Sequence, residues 1–81
     1  MPKWRVLSGA DVIRILAGFG FVQTSQRGSH VKLLRTLADG TRQNLTVPRH
    51  DELDRGTVHA IYRQASRFIP EEQLLPHFKT E

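Results

Sequence analysis

Residues 28–48 read GSHVKLLRTLADGTRQNLTVP, and the way this stretch doubles back settles most of the architecture. Val31 to Leu37 and Thr41 to Val47 are β-prone runs joined by Ala38-Asp39-Gly40. Side chains alternate across a strand, so the turn dictates which residues share a face. A two-residue Asp39-Gly40 loop sets Leu33 opposite Thr46. A three-residue loop with Gly40 left-handed sets Leu33 opposite Leu45 and Val31 opposite Val47. Only the second register gathers the aliphatics on one side, and a slip of one residue exposes them all. The three-residue loop is therefore expected. Lys32, Leu34, Thr36, Arg42, Asn44 and Thr46 then share the other face with His30, and Pro48 falls opposite His30.

Upstream, Phe21 to Gln26 reads as another strand, joined to this hairpin by a turn at Arg27-Gly28, where glycine permits a positive φ. The pattern leaves open whether Phe21 or Val22 points inward. Before it, Val12, Ile13, Leu16 and Ala17 recur at helical spacing and predict a helix from about Gly9 to Ala17. Ser8-x-x-Asp11 is a short-armed capping box for that helix, and Gly18 and Gly20 stop it. Trp4 with Val6 or Leu7 covers one edge of the core.

Downstream, Pro48 ends the third strand because it has no ladder N–H. Arg49 to Arg55 forms a polar loop anchored by Leu53. Val58, Ile61, Tyr62 and Ala65 then predict a second amphipathic helix over Thr57 to Arg67. Pro70-Glu71-Glu72 suits the first turn of a short third helix. Pro76 is expected to close it, leaving His77 to Glu81 as a loose tail. The class is α+β, with a helix, three antiparallel strands, a helix and a short C-terminal helix. Each main helix has one apolar stripe, so both cover the same sheet face and leave the other polar.

At 81 residues the chain is expected to be one small domain, residues 1–81, with 68–81 as a C-terminal extension. A chain this short buries only about 60–65% of its unfolded surface, enough for one thin core. It has no cysteine, which excludes disulfides, thiol nucleophiles and zinc–cysteine sites. It also lacks an apolar run of membrane-spanning length and a signal-peptide apolar region. A cytoplasmic protein with no membrane partner is the expectation. The net charge is +4. Six basic residues (Arg14, Arg27, Lys32, Arg35, Arg42, Arg49) fall between Val12 and His50 against one acid, Asp39. That balance points to a polyanion, most simply nucleic acid.

The series of motifs is similar to that of the HicA (YcfA-like) toxin family. It comprises Leu7-Ser8-Gly9, Gly20-Phe21, Gly28-Ser29-His30, Asp39-Gly40, Val47-Pro48 with His50, and Gly56-Thr57-Val58 with Ile61, Arg63, Gln64 and Ala65. The resemblance implies a double-stranded-RNA-binding-domain-like αβββα fold and cleavage of mRNA, with the motif histidine, here His30, essential. It also implies a HicB-type antitoxin that binds and blocks the chain. Where the family often carries a histidine or an aromatic after the motif, this chain has Val31, Lys32 and Leu33.

The chemistry asks little of a protein. RNA carries its own nucleophile, the 2′-hydroxyl, so a metal-free ribonuclease needs a base, a donor for the leaving 5′-oxygen and positive charge at the phosphate. An unperturbed histidine, with a pKa of about 6.5, suits the first task. His30 is the candidate catalytic base. Gly28, Ser29, Lys32, Arg27 and His50 are the supporting or RNA-binding candidates. Lys32 and Arg27 either steady phosphates or are solvated cations, and Ser29 either orients His30 or caps the turn. His50 is either a second acid–base group or a loop residue fixing the Pro48 turn. A His30–His50 metal site needs Asp51 or Asp54 to complete it, and two histidines alone make a poor one. No cofactor or metal is expected, and alone the chain is expected to be a monomer. His59 and His77 read as surface residues. A non-catalytic RNA-binding module using the same face is the alternative.

Overall fold

The computed structural model describes residues 3–80. Met1, Pro2 and Glu81, parts of the expected lead-in and tail, lie outside the described residues. The order is β1 (Lys3–Trp4), α1 (Gly9–Ala17), β2 (Val22–Arg27), β3 (His30–Thr36), β4 (Arg42–Pro48), α2 (Arg55–Ala65), α3 (Glu71–Phe78) and β5 (Lys79–Thr80). Strands β2, β3 and β4 form an antiparallel sheet in sequence order.

The central hairpin has the expected register, with Val31 opposite Val47, Leu33 opposite Leu45 and His30 opposite Pro48. Leu37 closes the three-residue loop through its N–H to the Thr41 carbonyl, 2.8 Å, and Gly40 takes φ 91°. Val31, Leu33, Leu45 and Val47 are all buried and meet Val12 and Leu16 of α1 and Val58, Ile61 and Ala65 of α2. At about 25 cal/mol per Å² of apolar surface, this shared core is the main force holding both helices to one face.

The helix ends follow side-chain capping. The Asp11 N–H donates to the Ser8 hydroxyl at 3.0 Å, and the Ser8 N–H donates to the Asp11 carboxylate at 2.9 Å, completing the expected box. Asp54 does the same work for α2, accepting the Thr57 N–H at 2.7 Å. This cap starts α2 two residues before the expected Thr57, and the helix ends at Ala65 rather than Arg67.

Four expectations need correction. Phe21 is the inward residue, 1% exposed against 61% for Val22, but it sits just before β2 rather than in it. The first hairpin turns at Gly28-Ser29, not Arg27-Gly28: Arg27 pairs with His30 inside the sheet. Gly28 takes φ 57° and Ser29 has no positive φ, the sign pattern of a type II′ turn. Thirdly, Pro76 lies within α3 instead of closing it, and the tail is not loose. Leu74 and Phe78 are fully buried, and Lys79–Thr80 pairs with Lys3–Trp4 in a two-stranded ribbon. Burial of Phe78 outweighs the one helical hydrogen bond a late proline removes. Finally, His59 is no plain surface residue: its ring lies 4.1 Å from that of Trp4, and its Nε2 is buried without a partner.

Candidate functional site

The sheet face away from the helices is laid out in rows by the register. Arg27, His30 and Pro48 form the first row, Ser25, Lys32 and Thr46 the second, and Val22, Leu34 and Asn44 the third. Arg42, opposite Thr36, closes the far end. A β-bulge at Thr24 lets Ser25, rather than Thr24, stand beside Lys32. Ser25, Gln26, Arg27, His30, Lys32 and Thr46 line an open depression of about 550 Å³. His30 is exposed there, and its ring makes no hydrogen bond among the described residues. Lys32 follows on the same face at two strand steps, roughly 7 Å along β3. Arg42, six steps from His30, is about 20 Å away and serves the opposite end of the face.

The hairpin strands extend one pairing beyond His30, where the Arg49 N–H donates to the Ser29 carbonyl at 2.6 Å. This bond brings the loop after Pro48 back to the motif. The Ser29 hydroxyl and His50 Nε2 lie 3.3 Å apart, so the serine's side-chain partner is His50. The His50 carbonyl accepts the Gly9 N–H at 2.8 Å, tying the loop to the start of α1. Gly9 is needed for this approach. A Cβ there would collide with the Pro48 carbonyl oxygen and sit 2.6 Å from Arg49 Cα.

Asp54, the cap of α2, is held below the usual carboxylate range by the Thr57 N–H, with the nearby His50 adding to the effect. Its carboxylate is thus committed to the helix end. Among the described residues, no three histidine, cysteine or acidic side chains gather closely enough to hold a metal ion.

Two of the six basic residues in the middle of the chain do not serve the open face. Arg14 pairs with Asp11 at 2.6 Å on α1. Arg35 points to the helix side, where it donates to Gln43 Oε1 at 2.7 Å, the Phe19 carbonyl at 3.0 Å and the Phe68 carbonyl at 2.8 Å. Its guanidinium also lies 4.9 Å from the Phe21 ring centre. Strand alternation carried that signal, since Arg35 follows Val31 and Leu33 at steps of two.

These features define a class: a small α+β protein of the αβββα type, with helices covering one sheet face and an exposed histidine between cations on the other. Residues 9–66 match the family model described as HicA toxin of bacterial toxin–antitoxin. The chain belongs to the HicA toxin family. It is the toxin of a toxin–antitoxin system, and membership implies an antitoxin as partner. Comparisons with curated proteins and with solved structures give no match. The matched span runs from the start of α1 to just past α2, so it contains the whole sheet and leaves α3 and the terminal ribbon outside. No helix among the described residues is long and apolar enough to cross a membrane.

Proposed function

We propose that this toxin is an mRNA-cleaving endoribonuclease in which His30 acts as general base. The observation that carries the reading is the exposed His30 ring in an open depression beside Arg27 and Lys32. His30 takes the proton of a ribose 2′-hydroxyl. The freed oxygen attacks the adjacent phosphorus, forming a 2′,3′-cyclic phosphate as the bond to the 5′-oxygen breaks. Water in the open depression protonates that leaving oxygen. Lys32 and Arg27 offset the charge that builds on the phosphate. Ser29 and Gly28 set the turn that presents the histidine, and His50 holds the neighbouring loop through Ser29. An antitoxin, of HicB type, blocks the toxin by lying over this face.

One mechanistic consequence is a slow enzyme. A single acid–base group contributes about 10²–10⁴ in rate. The test is incubation with single-stranded RNA and with the same strand carrying 2′-deoxyribose at the cut positions. The expected result is cyclic-phosphate ends from the first and no cut in the second. Equal cutting of both strands overturns the ribose mechanism.

The unpartnered His30 ring favours one other reading, a non-catalytic RNA-binding module, since binding needs no orienting group. In that case wild-type protein binds RNA in a salt-dependent way and yields no product.

A further inference from the structure

A second concentration of positive charge lies on α2 and the turn that follows it. Arg55, His59, Arg63 and Arg67 recur every four residues, and no acid occurs from Arg55 to Pro70. Residues four apart on a helix stand one above the other, so Arg55, His59 and Arg63 form a ridge on α2, and Arg67 lies in the turn just past its end. His59 is drawn against Trp4, while Arg55, Arg63 and Arg67 are exposed. Val58, Ile61 and Ala65 bury the inner side of α2, so Arg63 and its neighbours face away from the sheet. Among the described residues the guanidinium groups of Arg63 and Arg67 make neither an ion pair nor a hydrogen bond. Ala60, Arg63, Gln64 and Arg67 line an open depression of about 420 Å³.

The small Ala60 side chain leaves the gap, two guanidinium forks flank it, and the Gln64 carboxamide adds a further donor. Planar forks of this kind suit phosphate oxygens. Helix stability does not explain the pair. The negative end of the α2 dipole favours Arg63, in the last turn. Like charges brought to one depression repel.

We propose that this outer face of α2, with the turn that follows it, is a second phosphate-binding surface, gripping an RNA backbone on the side of the molecule opposite His30. The inference rests on the reading of RNA as substrate. A short strand on the His30 face does not reach α2. RNA long enough to pass round the domain engages both, so Arg63 and Arg67 add affinity for long RNA without touching the bond that breaks.

The experiment uses the full chain carrying His30→Ala, so that RNA survives. Its binding to single strands of about 5 and about 30 nucleotides is followed across salt, sizes that bracket a small protein's site. Adding R63Q and R67Q removes two phosphate contacts. The expected result with the long strand is a salt slope shallower by about 1.4, so that affinity falls about sevenfold less between about 50 and 200 mM salt. The short strand should be unaffected, R63K with R67K should keep the original slope, and all variants should share one melting temperature. An unchanged slope on the long strand overturns the proposal, as does an equal change on the short one. Loss of binding to the antitoxin with the RNA slope unchanged assigns the ridge to protein and overturns it too. If wild type neither cuts nor binds either strand, the RNA reading itself falls.

Discussion

Lys32 and Arg35 stand three positions apart on β3 and face opposite ways, which separates a cation of the open face from one that fastens the fold. Lys32 sits in the depression beside His30, whereas Arg35 joins β4, the loop after α1 and the turn after α2. Arg35→Leu should cost about 2–3 kcal/mol in urea unfolding, since hydrogen bonds from a charged group are the stronger kind. Its RNA salt slope should stay unchanged. Lys32→Ala should leave stability within about 0.5 kcal/mol and lower the slope by about 0.7. Gly9→Ala should destabilise by about 1–3 kcal/mol, as an added methyl meets backbone that cannot move aside cheaply. At this scale the sequence was only partly legible. Alternation named the residues beside His30 and equally implied the inward Arg35. The approach of Gly9 to Pro48 and Arg49 joins positions some forty residues apart, which no local pattern records. The contact between Ser29 and His50 depends on the same folding back of the loop.

Among the elements, those with a strong local signal are the ones that sequence and structure share most closely. Helix α1 has both its capping box and its apolar stripe written in nine or so consecutive residues, and its bounds agree. The β3–β4 register was legible because only one alignment buries all four aliphatics. The β1–β5 ribbon was not, because two-residue strands are too short for any period. Phe78→Ala, at the end of α3 just before β5, tests whether the C-terminal segment is docked: a buried aromatic predicts a loss of about 3–5 kcal/mol, where a loose tail would lose almost nothing. The caps give a pH dependence with a defined sign. Asp11 and Asp54 are held below the usual carboxylate range, chiefly by the N–H groups of Ser8 and Thr57 respectively. Their unfolded forms keep protons to higher pH, near the ordinary value of about 3.9. The stability they contribute is therefore complete above about pH 5 and is lost as pH falls through their lower folded values. Asp54→Asn, which can still accept the Thr57 N–H, should flatten the acid limb of melting temperature against pH.

For the molecule as a whole, the deciding feature is asymmetry. Among the described residues, three helices and the ribbon contribute to a single core on one side of the sheet, and the other side carries polar and basic side chains around His30, with Val22 and Leu34 further along. That asymmetry followed from the sequence, because each main helix has only one apolar stripe to bury. The total charge was a poorer guide than its placement, since Arg14 and Arg35 are engaged elsewhere. The central claim is that the imidazole of His30 removes a ribose proton. Its most direct test is the single-turnover rate of RNA cleavage by wild type and His30→Ala at equal, saturating protein. The expected ratio is about 10²–10⁴, with RNA affinity changed little. A ratio near one would contradict the assignment.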